Sequence, residues 1–200
     1  MASLSREELF QILEERITDP PRAHEIDGDV WARCGADRAI FVSDLSGFTR
    51  LTKKHGILHF LAVFRRANTL FTPILERHHG RCVKHEADNH IYVFARASDA
   101  IAAAREIVAA TRALDDSLGE DERVYPCIGV GYGRVLELTD DVFGDEVNIA
   151  FKLGEDVATR REILISDAAF AQLDQEGTSV DTEAREEEIG HVMMRYHAVR

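Results

Sequence analysis

The sequence predicts an α+β fold in which helices cover a mainly antiparallel sheet. Three observations predict it. Short apolar runs of strand length recur along the chain. An apolar period of helical type holds over residues 98–118. Residues 81–94 read as two strands around a polar turn. Helices and strands mixed in this way suit a layered sandwich.

The elements follow in order. Ser5-Arg6-Glu7-Glu8 has the form of a capping box, and Leu9, Phe10, Leu13 and Ile17 continue it at helical spacing. The resulting helix has one apolar face, which either packs on the domain or meets a partner. Pro20-Pro21 ends it. Residues 18–37 read as a connector pinned by Trp31, so residues 1–37 form a helix and connector and residues 38–200 the main domain. Ala39-Ile40-Phe41-Val42 fits a buried strand that ends at Ser43-Asp44. Gly47-Phe48-Thr49 opens a helical stretch, with Pro73 at a break or in the first turn of a following helix and Gly80 at its C-cap. The hairpin comes next, then a helix over 98–118 capped by Ser98. A strand over 124–130, a separate one over 135–138, a helix over 145–153 and a strand over 162–165 follow. Ser166 caps another helix, the acidic residues 174–188 read as a loop, and residues 191–197 alternate as a last strand.

Bulk properties narrow the function. The chain has 200 residues and 45% hydrophobic content, enough for one domain with a core. No apolar run reaches the length of a membrane span, and the charged N-terminus lacks a secretory signal's apolar stretch. Cys34, Cys82 and Cys127 have no CxxC spacing and read as reduced thiols, which suits a cytoplasmic protein. A formal charge of −12 argues against sequence-independent nucleic-acid binding. It leaves a polyphosphate ligand open if metal ions offset the charge. His78, His79, His85 and His90 cluster without zinc-site spacing, so a packing or solvated role is expected.

The chemistry concentrates in two carboxylates. Asp44 closes a buried strand before a glycine-containing turn into a helix. Its carboxylate and the Leu45 carbonyl can ligate Mg²⁺ or Mn²⁺, while the amides of Gly47, Phe48 and Thr49 face a polyphosphate. Read alone, Asp44 is equally well a helix N-cap, and Asp88 a common turn residue. Together, on a strand and an adjacent hairpin, they can bridge two metal ions.

At this point the chain resembles a known family. Phe41-Val42-Ser43-Asp44-Leu45-Ser46-Gly47-Phe48-Thr49 is similar to the first metal-binding motif of class III adenylyl and guanylyl cyclases. Val83-Lys84-His85-Glu86-Ala87-Asp88 is similar to the second, and Phe143-Gly144-Asp145-Glu146-Val147-Asn148-Ile149-Ala150-Phe151-Lys152-Leu153 to the Gly-Asp-x-Val-Asn-x-Ala-x-Arg-Leu signature. The resemblance covers roughly residues 38–200. It implies a ferredoxin-like class III cyclase fold, ATP as substrate, two Mg²⁺ or Mn²⁺ ions and a head-to-tail homodimer. It also implies roles: Asp44 and Asp88 on metal, Lys84 and Asp141 on adenine, Asn148 on the ribose, Lys152 on the transition state. Lys with Asp suits adenine, which offers a ring-nitrogen acceptor and an exocyclic N–H donor.

The chain departs from the family in three places. Lys152 replaces an Arg and loses the planar fork. Ala87 stands where Gly commonly precedes the metal Asp. The stretch from Gly133 to Gly144 is short, as in some bacterial cyclase-like proteins that also carry Lys-Leu-Gly-Glu-Asp, here Lys152 to Asp156. Lys152 and Ala87 admit a second reading, a nucleotide-binding regulatory module with little or no turnover. Cyclisation of another nucleoside triphosphate is a third reading, against which the Lys84/Asp141 pair argues.

Overall fold

The computed structural model describes residues 4–86, 88–189 and 192–200. Ala87 therefore lies outside the described residues. Helices α1 (Arg6–Thr18) and α2 (Ala23–Cys34) precede the long strand β1 (Gly35–Leu45). Helices α3 (Phe48–His55) and α4 (Ile57–Arg77) lead to the hairpin β2 (Arg81–Glu86) and β3 (Asn89–Phe94). Helix α5 (Ala97–Ala113), β4 (Pro126–Glu137), the short β5 (Val142–Phe143) and α6 (Asp145–Phe151) follow. A π-helical turn (Lys152–Val157), β6 (Ile163–Ser166), α7 (Asp167–Gln175), β7 (Thr182–Ile189) and β8 (Val192–Val199) complete the chain.

The strands form one sheet in the order β2-β3-β1-β4-β6-β8-β7, with β5 beside β4. Strands β4 and β6 run parallel, and the other pairings are antiparallel. This is the α+β architecture that the sequence predicts. β1 lies near the centre, and its alternating side chains serve two cores. Ala39 and Phe41 join Phe71, Leu75, Phe94 and Ile107 on one face; Ile40 and Val42 join Ile91, Val93, Val147 and Ala150 on the other. A strand buried on both faces is a rigid base for the carboxylate at its end.

Several local expectations are corrected. The supposed connector is helical: a 3-10 turn at Pro20–Arg22, then α2. Ile26, Val30 and Cys34 form its buried stripe. Gly28 suggests a break, but it is one exposed residue, and such a glycine costs about 1 kcal/mol, which packing outweighs. The helix α1 packs on the body: Leu4, Leu9, Val30, Cys34 and Leu138 form one cluster. The helical break falls at Gly56, whose φ of +86° suits glycine, and Pro73 sits inside α4. Burial of Val63, Ala67, Phe71, Ile74 and Leu75 on both sides of Pro73 outweighs the lost backbone bond.

Helix α5 stops at Ala113, short of the expected 118. Its cap is not Ser98; the Glu176 carboxylate accepts from the Ala97 and Ser98 amides at 2.9 and 3.0 Å. The two strands expected over 124–130 and 135–138 are one, β4. Its glycines are not turn residues but allow close approach by α6. The acidic loop expected over 174–188 contains β7, an edge strand. Glu183, Glu186, Glu187 and Glu188 hide it from any apolar alternation, and charge on an edge discourages further pairing. Among the described residues, no helix is long and apolar enough to cross a membrane.

The contact between β4 and α6 is tested directly at Gly129. A Cβ there would lie 2.1 Å from the Ala150 carbonyl oxygen and 2.6 Å from the Gly154 nitrogen, both backbone atoms. Gly129→Ala should destabilise the protein by roughly 3 kcal/mol or more, read as a lower urea midpoint. An unchanged midpoint would contradict this packing.

Candidate active site

The site begins where β1 leaves the sheet. Asp44 faces Cys127 of β4 in register, and Leu45 faces Pro126. The Ser46 amide donates to the Tyr125 carbonyl at 3.0 Å, which holds the chain as it turns. Gly47 then takes φ +114°, a left-handed conformation that glycine adopts readily, and α3 starts at Phe48. Neighbouring β3 places His90 opposite Ser43, so the β2–β3 turn brings Asp88 beside Asp44. Asp44, Leu45, Gly47, Phe48, Thr49 and Asp88 line one cavity of about 630 Å³.

Burial raises the Asp44 carboxyl, and the adjacent Asp88 charge and a hydrogen bond with Asp88 raise it further, to about 7. Glu155, also in the cavity wall, adds to the shift. The pair thus holds a proton where two isolated carboxylates would hold none. The Arg50 guanidinium also lines the cavity but is paired with Asp121 at 2.5 Å. Burial lowers His90 to about 3, so its ring is neutral, and it serves packing and hydrogen bonding to Asn68 and Ser43. Burial, helped by the Asp44 charge, pushes the Cys127 thiol up to about 12.

Two further groups in this cavity are not among the residues singled out from sequence. Asn89 donates its amide to a Glu155 carboxylate oxygen at 2.5 Å. Its own carbonyl oxygen is buried and has no hydrogen-bond donor among the described residues. Carboxylates, an amide oxygen and the Leu45 carbonyl are hard oxygen donors of the kind Mg²⁺ and Mn²⁺ prefer, so the residues present fit a divalent ion. The signals for Asn89 and Glu155 were faint: a polar residue after Asp88, and an acidic residue after Gly154.

Lys84 and Asp141 come together elsewhere. The Lys84 ammonium lies 3.1 Å from one Asp141 oxygen, which also accepts from the Val142 amide at 2.9 Å. The other Asp141 oxygen pairs with Arg6 of α1 at 3.3 Å, and Asp141 itself is buried. Two hydrogen bonds hold helix α1 over this loop: the Arg6 amide donates to the Asp140 carboxylate at 2.8 Å, and the Thr139 amide to the Leu4 carbonyl at 2.9 Å. Nothing in the spacing of Arg6 and Asp141 signalled their contact.

Asn148 and Lys152 share a separate cavity of about 490 Å³ with Asp145, Ile149, Met193 and Arg195. Lys152 lies 4.0 Å from Asp156, a contact at the limit of an ion pair. Lys84 and Asp141 do not line this cavity, and neither do Asp44 and Asp88. One chain therefore presents three clusters of singled-out residues rather than one assembled site.

Comparison with known proteins is consistent with this architecture. Residues 35–198 match the family described as adenylate and guanylate cyclase catalytic domain. An adenylate cyclase of Streptomyces coelicolor is 31% identical over 137 residues, 67% of this chain and 33% of its own length. A relative from Rhizobium meliloti is 29% identical over 129 residues, 64% of this chain and 22% of its own length. The chain thus spans a third or less of the curated relatives it matches. The crystal structure of an adenylate/guanylate cyclase/hydrolase from Silicibacter pomeroyi superposes with a TM-score of 0.68 at 25% identity, covering 82% of this chain and 96% of that one. The matched segment begins at the first residue of β1 and carries both carboxylates, and the chain belongs to the adenylate and guanylate cyclase catalytic domain family.

Proposed function

We propose that this chain converts ATP to 3′,5′-cyclic AMP and pyrophosphate, as a head-to-tail homodimer with two Mg²⁺ or Mn²⁺ ions per site. The observation that carries the reading is the meeting of Asp44 and Asp88 at one cavity, with the proton they retain. A carboxylate pair that repels itself is an acceptor for divalent charge. Asp44, Asp88 and the Leu45 carbonyl would hold the ions. When bound, such ions lower the pKa of the ribose 3′-hydroxyl and offset charge on the leaving pyrophosphate. The amides of Gly47, Phe48 and Thr49 lie at the α3 N-terminus, whose dipole favours phosphate.

The other groups act from the second subunit. Lys84 donates to an adenine ring nitrogen, and Asp141 accepts from the exocyclic amine. Asn148 orients the ribose, and Lys152 counters charge that grows in the transition state, without the bidentate geometry of Arg. Separation of the Asp44/Asp88 cavity from the Asn148/Lys152 cavity supports a shared site, since cyclisation needs both sets around one nucleotide. The Lys84–Asp141 contact supports adenine: the two groups are already mutually oriented.

Three outcomes test the reading. Purified protein with ATP and Mn²⁺ should yield cyclic AMP by mass spectrometry, and Asp44→Asn or Asp88→Asn should abolish it while the circular dichroism spectrum is kept. If wild type binds ATP with metal and makes no cyclic product, a nucleotide-binding module takes the enzyme's place.

The second outcome concerns pH. Because the folded Asp44 carboxyl titrates at about 7, above the ordinary carboxylate range, the native chain binds more protons than the unfolded chain in between. Stability from this group is fully present below the unfolded pKa and is lost as pH rises through the folded one. In EDTA, the melting temperature should fall from about pH 5 to about pH 8, Asp44→Asn should remove that part of the fall, and Mg²⁺ should oppose it. A melting temperature independent of both would contradict the pair's geometry.

The third concerns the base. Lys84→Glu with Asp141→Ser should weaken ATP use by roughly ten- to a hundredfold, the scale of unpaired buried polar groups. Adenine must share Asp141 with Arg6, which is half-exposed and so weakly held. Arg6→Ala should lower KM for ATP by about fivefold with kcat little changed, the scale of about 1 kcal/mol for such a pair. An unchanged KM would mean that the base does not compete with Arg6.

A further inference from the structure

The segment after Lys152 is wound differently from the helix before it. Residues 152–157 form a π turn, a wider winding that often marks functional positions. The turn is seated by glycine on both sides. A Cβ on Gly154 would lie 3.1 Å from the Gly129 nitrogen and 3.2 Å from the Val42 carbonyl oxygen. Backbone therefore rests on backbone between β1 and β4, two residues before Asp44 on one strand and two after Cys127 on the other. The next residue, Glu155, consequently reaches the cavity of Asp44 and Asp88.

Once there, Glu155 is fixed by Asn89, the residue after Asp88. The Asn89 amide donates to it at 2.5 Å, and Asn89 is only 9% exposed. Its carbonyl oxygen, buried without a donor, is a group that folding alone leaves unsatisfied, a state that costs free energy until a cation or donor arrives. Among the described residues, no three His, Cys, Asp or Glu side chains are grouped closely enough to hold an ion by themselves. Glu155 lines the cavity at its exposed side, with one carboxylate oxygen already engaged by Asn89. Mg²⁺ gives up its waters reluctantly, and carboxylates in an outer position orient the waters and ligands of an ion.

We propose that Glu155, seated by the π turn and oriented by Asn89, is a positioning residue of the divalent-cation site, holding a metal-bound water rather than the ion itself. The inference rests on the metal reading of the Asp44/Asp88 cavity. It adds a third carboxyl group to that cavity and gives Asn89 a task that no expected role covers.

Free Mn²⁺ measured by electron paramagnetic resonance, with saturating α,β-methylene-ATP as a non-cyclisable nucleotide, tests it without turnover. Glu155→Gln keeps size and hydrogen bonding but removes the charge, and it should weaken Mn²⁺ binding by about tenfold, as should Asn89→Ala. Glu155→Asp should recover part of the affinity, which a merely structural role would not produce. Melting in EDTA should stay near wild type for Glu155→Gln, since Glu155 is exposed. Wild-type Mn²⁺ affinity in Glu155→Gln, with Asp44→Asn strongly weakened, would overturn the inference and leave the metal reading intact. Wild-type affinity in Asp44→Asn as well would overturn both.

Discussion

Two carboxylates that repel each other are held together by a strand that cannot yield. Asp44 ends β1, whose Ile40, Phe41 and Val42 are fully buried between two cores, and Asp88 is fixed by the adjacent hairpin. The backbone sets the distance, and the side chains answer by retaining a proton. The arrangement is unfavourable in isolation and becomes favourable only with compensating positive charge. His90 is neutral, Cys127 is un-ionised and Arg50 is paired with Asp121, so none of the three is free to supply that compensation.

The rest of the molecule follows from packing close to this point. α6 lies against β4 at Gly129 and Gly131, where its backbone oxygens sit too near for any side chain. That contact fixes Asn148 and Lys152 on one side of the sheet and, through Gly154, carries Glu155 towards the other cavity. One short helix and the turn after it therefore contribute residues to both cavities. At the far end of β4, the loop before β5 presents Asp141 to Lys84, and α1 closes over it through Leu4, Leu9 and Arg6. Helix α1 lies outside the family match, yet its Arg6 pairs with Asp141.

Much of this was legible in the sequence. The apolar run before Asp44, the hairpin around Asp88 and the helix after Gly144 had local signals: alternation, turn residues and spacing. What escaped had non-local causes. β7 carries charge where a strand usually shows alternation, because an edge faces water and must resist pairing. The glycines of β4 look like turn residues until the helix that they admit is seen. The cap of α5 comes from Glu176, far along the chain. The Arg6–Asp141 and Asn89–Glu155 contacts likewise join residues whose separation carries no pattern.

The central claim is that a working site needs two copies of the chain, one giving Asp44 and Asp88, the other Asn148 and Lys152. Mixing two inactive variants, Asp44→Asn and Asn148→Ala, tests it most directly. Random reassociation leaves one intact site in each mixed dimer, so about a quarter of wild-type cyclic nucleotide formation should return. No return of activity, with subunit exchange demonstrated by mass spectrometry of labelled chains, would place the site within a single chain and contradict the account.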